Sequence, residues 1–244
     1  MTKTKFGYKE INSSSKPEMV NNIFTSVSSK YDIMNDLMSF GLHRGWKRQF
    51  LRICDLSSVN NALDIACGTG DISLGIIQKN PSIKLTCLDP NQEMIEFCKQ
   101  KLLNKGFSKI NFEIKSVENY KPKNKNYDLI TVAFGFRNFT DHKKALVNIY
   151  NILKPGGRFV ILDFKKPRNN FYSNLFKMYT LNVIPKLGKL VANDEDSYKY
   201  LGESIQTYFS PDEINDMLKE NGLINTKVIN LIEDVATIHI GYKS

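Results

Sequence analysis

A glycine turn flanked by acidic residues is the stretch of this sequence with the clearest chemical meaning. Residues 62–71 read Ala-Leu-Asp-Ile-Ala-Cys-Gly-Thr-Gly-Asp, and a segment with helical spacing follows them. Gly68 and Gly70 let the backbone pass close to a ligand, and the N-terminus of the following helix offers unpaired N–H groups. Asp89 ends the next short apolar run, about 20 residues after the glycines, where nucleotide-binding folds place a carboxylate on a ribose. The pattern predicts a strand, a turn and a helix that bind a nucleotide-like ligand.

The acidic residues narrow the choice of ligand. Asp64 precedes the glycines and Asp71 follows them directly. Carboxylates at these positions would repel a pyrophosphate, whereas they are compatible with a ligand that carries a sulfonium and an ammonium group. A tight turn without a ligand would explain the two glycines but not the acids around them. The stretch resembles the first motif of the class I methyltransferases, which use S-adenosylmethionine.

The composition is that of a globular chain with an excess of positive charge. The 244 residues are 41% hydrophobic and 24% charged, with a formal net charge of +9. No apolar run reaches the roughly 20 residues that span a bilayer, so we expect a cytoplasmic protein, at most peripheral at the inner face of a membrane. The charge fits nucleic acid, an anionic membrane surface or a merely lysine-rich composition, and it does not decide among them.

The cysteine pattern predicts no metal site. Cys54, Cys67, Cys87 and Cys98 contain no C-x-x-C pair, and two of them fall in predicted strands. We expect reduced cysteines in the core and no bound metal, zinc included.

Strand and helix patterns alternate along most of the chain, which predicts an α/β fold with a doubly wound, mainly parallel seven-stranded sheet. Residues 1–17 are polar and are predicted as a mobile tail. Residues 18–244 are predicted as a single domain, with a helical cap at 18–57 and a helical insertion at 165–205 before the last strand pair. Within the cap, Trp46 is interpreted as a core residue.

The ligand of such a sheet lies beyond the carboxyl ends of its strands. We therefore expect Gly68, Asp89, Ser116 and Phe134 to converge, because each follows or ends a predicted strand. Farther along, Ser210–Glu213 has the sequence of a capping box that opens a late helix.

Several separated segments resemble the ubiquinone/menaquinone biosynthesis C-methyltransferases, and the resemblance extends from about Val20 to the end of the chain. The segments are Lys30–Ser39, Phe134–Asp141, Leu190–Asp194, Tyr200–Ile205 and His239–Lys243. The resemblance implies a Rossmann-like class I fold and methyl transfer from S-adenosylmethionine to a ring carbon of a polyprenylated benzoquinol or naphthoquinol.

The same resemblance implies contacts to S-adenosylmethionine: Thr69 in the turn, Asp89 on the ribose, and Ser116 with Val117 near the adenine. Some family members have serine at the position of Ala133, and alanine removes that hydroxyl. The predicted cofactor-binding residues are Asp64, Gly68, Thr69, Gly70, Asp89, Ser116, Val117 and Ala133.

Three residues are candidates for catalysis. The reaction must stabilise a phenolate, and Arg137 has a permanent charge and follows the strand beside the predicted ligand. Tyr31 and Asp32 are expected to orient the other oxygen or relay a proton. A salt bridge from Arg137 to Asp141 is the structural alternative to a catalytic role.

The segment Phe171–Leu190 is apolar on one side and carries Lys177, Lys186 and Lys189. It fits an interfacial element or a lid over the prenyl tail, or else an ordinary helical cover. In the next segment the resemblance leads us to expect alanine or an aliphatic residue at Gly202, where glycine would weaken a helix by up to about 1 kcal/mol.

Two other functions remain open from the sequence. An RNA methyltransferase would suit the basic charge, but clustered Lys and Arg with exposed aromatic residues are missing, so we expect no nucleic acid partner. A non-catalytic scaffold subunit of a quinone-synthesis complex would not need the acids and glycines of the turn. A homo-oligomer or such a complex is compatible with the enzyme function.

Overall fold

The computed structural model describes residues 3–30, 33, 35–36, 39, 41–122, 126–166, 171–231 and 235–244. The strands are β1 Lys3–Phe6, β2 Lys9–Asn12, β3 Asn61–Ile65, β4 Lys84–Asp89, β5 Asn111–Ile114, β6 Tyr127–Ala133, β7 Leu153–Phe164, β8 Leu223–Asn230 and β9 Ala236–Lys243. The α-helices of the described residues are α1 Lys16–Val27, α2 His43–Ile53, α3 Asp71–Lys79, α4 Gln92–Asn104, α5 His142–Ile152, α6 Phe171–Met178, α7 Ile184–Ala192, α8 Glu195–Gln206 and α9 Pro211–Glu220. A π-helical turn, Tyr179–Val183, joins α6 to α7.

The predicted α/β fold is confirmed. Seven strands form one sheet in the order β5-β4-β3-β6-β7-β9-β8. Strands β3 to β7 pair in parallel, and β9 runs antiparallel to both of its neighbours. The order reverses direction between β3 and β6, which is where a doubly wound sheet binds its ligand.

Both faces of the sheet are covered. Successive side chains of β3 alternate between two core clusters, with Ala62 in one and Leu63 in the other. Every residue of β6 except the last is buried, as expected for a central strand with helices on both sides. Trp46 belongs to the first cluster, which confirms its interpretation as a core residue.

The N-terminal residues differ from the prediction of an unstructured tail. Strands β1 and β2 form an antiparallel hairpin in which Phe6 pairs with Lys9. The Phe6 ring stacks on Tyr200 with centroids 4.2 Å apart, and the Tyr8 amide donates to a Glu203 carboxylate oxygen at 3.1 Å. The hairpin is thus attached to α8, a contact between segments almost 200 residues apart that polar composition does not reveal.

The helical insertion is present, but Gly202 has a different role from the one expected. A Cβ placed on Gly202 would lie 2.5 Å from the Thr180 carbonyl oxygen in the π-helical turn. Glycine therefore allows α8 to approach this turn closely, and the close packing rather than helix propensity explains the residue. The Ser210–Glu213 capping box at the start of α9 is confirmed.

None of the helices in the described ranges is long and apolar enough to cross a bilayer.

Candidate functional site

The glycine turn joins β3 to α3 through left-handed backbone conformations. Ala66, Gly68 and Gly70 have φ angles of 49°, 53° and 86°. Gly70 is the N-cap of α3, and a Cβ placed on it would lie 2.6 Å from the Cys98 sulfur. Glycine is required there both by the positive φ and by the packing against α4.

Asp89 is held by the backbone on either side of it. One carboxylate oxygen accepts from the Gly68 amide and the other from the Asn91 amide, both at 2.9 Å. Burial raises the pKa of Asp89 to about 6, and these two hydrogen bonds partly oppose the shift. Each oxygen keeps a second lone pair, so the carboxylate can accept from a bound ligand as well.

A cavity of about 420 Å³ opens at the carboxyl ends of β3 to β6. Four of the predicted cofactor-binding residues line it together: Gly68, Asp89, Ser116 and Val117. Phe134, which the sequence also predicts at this edge, lies in the lining. Other lining residues were not predicted from the sequence, and they include Ser13, Pro17, Val20, Asn91 and Asn138. Ser13 and Pro17 were missed because they were assigned to a tail.

Three further predicted residues lie elsewhere. Asp64, Thr69 and Ala133 line a separate cavity of about 20 Å³. Asp64 is fully buried and accepts from the Ser73 hydroxyl at 2.6 Å and the Thr131 hydroxyl at 2.8 Å. Burial raises the pKa of Asp64 to about 7 despite these hydrogen bonds. These hydrogen bonds connect β3, which ends before the glycine turn, to α3 and β6. A contact between Asp64 and a cofactor stays a prediction.

Asp71 is the second acid of the turn and is neutralised by two lysines. Its carboxylate binds the Lys47 ammonium at 2.6 Å and the Lys101 ammonium at 2.7 Å. Burial disfavours the charge, but the two ammonium groups outweigh it and hold the pKa of Asp71 well below its usual range. Lys101 also donates to the Thr69 hydroxyl at 3.3 Å, so this ion pair fixes the turn.

Arg137 is buried and does not pair with Asp141, contrary to the alternative considered above. Its guanidinium binds the Asp163 carboxylate at 2.7 Å and donates to the Phe134 carbonyl at 2.5 Å. Asp141 instead lies exposed at the start of α5, which it caps by accepting from the Lys144 amide. Burial raises the pKa of Asp163, while the positive charge of Arg137 opposes the shift. The role of Arg137 as partner of a phenolate stays a prediction.

Asn138 is a functional candidate to which sequence analysis assigned no role. Its amide nitrogen Nδ2 is buried and has no hydrogen-bond partner among the described residues. The Tyr200 hydroxyl donates to Asn138 Oδ1 at 3.1 Å, which fixes the orientation of the amide. Asn138 is one of the residues that line the large cavity. The available signal was its position inside the Phe134–Asp141 motif.

Lys16 is a buried cation in the segment that the sequence predicts as a tail. Its ammonium is buried at the start of α1 and donates to the Phe139 carbonyl at 2.8 Å. Burial lowers the pKa of Lys16 to about 8, and the nearby Glu118 carboxylate opposes the shift. Tyr31 and Asp32 lie outside the described residues, so their roles stay predictions.

Solved structures similar to this chain share its fold at low sequence identity. The YcgJ protein of Bacillus subtilis is 17% identical with a TM-score of 0.59, and the similarity covers 82% of this chain and 99% of that one. A SAM-dependent methyltransferase of Aquifex aeolicus is 15% identical with a TM-score of 0.59, over 81% of this chain and 89% of the other.

Sequence relatives are much more similar and match over all or nearly all of their length. A protein of Rickettsia bellii named ubiquinone/menaquinone biosynthesis C-methyltransferase UbiE is 41% identical over 249 residues and 100% of both chains. A protein of the same name from Pseudoalteromonas translucida is 41% identical over 98% of this chain and 96% of its own. The sequence model of the ubiE/COQ5 methyltransferase family matches residues 12–243. This chain belongs to the ubiE/COQ5 methyltransferase family.

Proposed function

We propose that this chain transfers the methyl group of S-adenosylmethionine to a ring carbon of a prenylated benzoquinol or naphthoquinol. Membership of a methyltransferase family and the names of the relatives support the reaction. The structural observation that carries the proposal is the cavity of about 420 Å³ that is lined by both Asp89 and Asn138. Its volume falls in the range of ligand pockets in proteins.

The residues at the glycine turn fit the cofactor. S-adenosylmethionine supplies, when bound, an electrophilic methyl group on a positively charged sulfur. The free lone pairs of Asp89 accept from the ribose hydroxyls, while Gly68 leaves room for the ligand beside the backbone. Ser116 and Val117 border the adenine, and the buried Val117 side chain offers it an apolar surface.

The acceptor requires a group that stabilises a negative oxygen. A ring carbon ortho to a hydroxyl becomes nucleophilic as the phenol loses its proton. We assign this role to Nδ2 of Asn138, which has no hydrogen-bond partner in the part of the chain that the structure describes, and the hydrogen bond from Tyr200 holds the amide in place. Phe134 and Phe139 line the same cavity and exclude water from the developing charge.

Arg137 acts in this scheme as a positioning residue. Its hydrogen bond to the Phe134 carbonyl and its ion pair with Asp163 hold the turn that presents Asn138. Tyr31 and Asp32 are proposed, from the sequence alone, to orient the second oxygen or relay the phenolic proton.

The direct test is transfer of labelled methyl from S-adenosylmethionine to demethylated quinones with short prenyl tails. We expect label in the ring only when a reductant converts the quinone to the quinol. Comparison of a benzoquinone with a naphthoquinone then defines the acceptor. Label in neither ring system, with S-adenosylhomocysteine still bound tightly, would reject the proposed reaction while leaving the cofactor site intact.

We further propose that α6, α7 and the turn between them contact a lipid surface, where a prenylated substrate resides. Leu190 is 83% exposed and Met178 is 55% exposed, which is unusual for large apolar side chains. Lys177 and Lys186 lie in the same segment and suit anionic lipid. The buried Ile184 shows that another face of this segment packs against the protein.

Flotation with vesicles that contain anionic lipid tests this contact. The double variant M178Q/L190Q is expected to bind vesicles less than the wild type, because the inserted apolar area is lost. The variant I224Q is a matched control, since Ile224 is 46% exposed in β8, outside this segment. Equal flotation of all three proteins would reject the lipid contact.

A further inference from the structure

Three cysteines that are far apart in the sequence meet at the glycine turn. Cys67 follows β3, Cys87 lies in β4 and Cys98 lies in α4. Their sulfur atoms all lie within 4.8 Å of one another, and all three side chains are buried. The fourth cysteine, Cys54, is also buried but does not belong to this group.

A polar group lies beside the three buried thiols. The Cys87 sulfur lies 3.2 Å from the Ser73 hydroxyl, which in turn donates to Asp64 at 2.6 Å. Ser73 thus directs an oxygen lone pair toward the sulfurs. Cys67 also lines the cavity of about 20 Å³ beside the turn.

The spacing of the sulfurs suits a tetrahedral metal centre. Zn–S bonds of about 2.3 Å place ligand sulfurs about 3.8 Å apart in a tetrahedron. The observed separations, all within 4.8 Å, exceed that spacing by no more than about 1 Å. Thiolates select soft or borderline ions, and a structural zinc site takes four ligands, for which three sulfurs and one hydroxyl oxygen are present here.

We propose that Cys67, Cys87 and Cys98 bind one thiophilic divalent ion of the zinc class, with the Ser73 hydroxyl as the fourth ligand. Binding displaces the thiol protons to solvent. A bound ion ties together the turn after β3, strand β4 and helix α4. Because the Cys98 sulfur packs against Gly70, the ion also fixes the backbone that borders the large cavity. The sequence predicts no such site because each cysteine comes from a different element.

Titration of the reduced, metal-free full-length protein with Cd²⁺ tests the proposal, since cadmium thiolates have an ultraviolet charge-transfer band. We expect saturation at one ion per chain, and displacement of the cadmium by excess Zn²⁺. The variants C87A and C98A should bind at least about 100-fold more weakly, because loss of even an outer partner of a metal ligand weakens binding 10- to 100-fold. The matched control C54A should bind like the wild type.

Equal cadmium binding by C98A and the wild type would overturn the site, and so would the absence of saturable binding by the wild type. Circular dichroism of each variant checks that it is folded. X-ray absorption of the zinc-loaded wild type gives an answer that depends on no variant. Three sulfur neighbours at about 2.3 Å support the site, and two or fewer reject it.

Discussion

The glycine-turn edge lines the large cavity, while a buried polar network lies behind Phe134 in its wall, and the two regions are built in different ways. The glycine-turn edge, Gly68, Asp89 and Ser116, consists of backbone groups and short side chains at the ends of adjacent parallel strands. The buried polar network, Arg137 with Asp163 and Ser204, joins side chains that are 26 and 67 residues apart. Each residue of the first region ends or follows a strand that its own segment predicts, whereas the partners in the second region are defined only once β7 and α8 have packed.

The electrostatics of the two regions differ as well. Asp89 and Asp64 accept hydrogen bonds from neutral groups, and burial raises the pKa of each. Asp163 has a permanent positive charge beside it in Arg137. Protonation of these two carboxyl groups should therefore change with pH near neutrality. The stability of the Arg137 network should instead depend mainly on whether each charged partner is present.

The largest expected effect is the loss of Asp163. The variant D163A leaves the buried Arg137 guanidinium without its carboxylate, so we expect unfolding by urea to require about 3–5 kcal/mol less free energy. The matched control is D141N, which retains an acceptor at the N-cap of α5 and should change stability by less than about 0.5 kcal/mol. Similar losses in both variants would mean that Asp163 is not the essential partner.

The next effect concerns the hydrogen-bond donor in the cavity. Replacing Asn138 by leucine removes Nδ2 at similar size, and we expect kcat to fall about 100- to 1000-fold. Binding of S-adenosylhomocysteine, measured by calorimetry, should stay unchanged. The companion variant Y200F frees the Asn138 amide without removing it and should lower kcat by about 10-fold. Loss of S-adenosylhomocysteine binding in N138L would indicate a structural role instead.

This difference in construction also explains how much the sequence could predict. Alternating strands and helices, the capping box at Ser210 and the convergence of Gly68, Asp89 and Ser116 follow from patterns within short segments. The partner of Arg137 could not be found in this way, because Asp163 and Asp141 are both acids at strand or helix ends. The Phe6 hairpin was missed for the same reason, since its stability depends on a distant helix.

On the glycine-turn edge, Asp89 gives the third effect. The variant D89N lacks a charged acceptor for the ribose hydroxyls, and we expect S-adenosylhomocysteine to bind about 10- to 100-fold more weakly. In the wild type, binding should also weaken as the pH falls below about 6, because Asp89 becomes protonated. The control D71N removes an acid that faces Lys47 and Lys101, and its affinity for S-adenosylhomocysteine should fall less than that of D89N. Equal losses would contradict the assignment of the ribose to Asp89.

The fourth effect is a pH dependence of stability. Asp64 has a folded-state pKa of about 7, above its ordinary value of 3.8, so between these values the folded protein holds a proton that the unfolded chain has lost. Its contribution to stability therefore falls as the pH rises, by about 2 kcal/mol from pH 5 to pH 7. The variant D64N should remove this part of the slope in urea unfolding, because the Ser73 and Thr131 hydroxyls can bond to an amide. An unchanged slope in D64N would show that Asp64 is ionised in the folded protein.

The smallest effect tests the packing of the helical insertion next to the buried polar network. Alanine at an exposed helical position is favoured over glycine by up to about 1 kcal/mol. At Gly202, however, the added methyl would lie 2.5 Å from the Thr180 carbonyl, so we expect G202A to destabilise the protein by about 1–2 kcal/mol in urea unfolding. Gly45 in α2 is the matched control, because a Cβ there meets no atom within 4 Å, and G45A should stabilise by up to about 1 kcal/mol. If both variants were stabilised alike, α8 would not be packed against the Tyr179–Val183 turn. The packing of α8, on which the Arg137–Ser204 contact of the buried polar network depends, would then be in error.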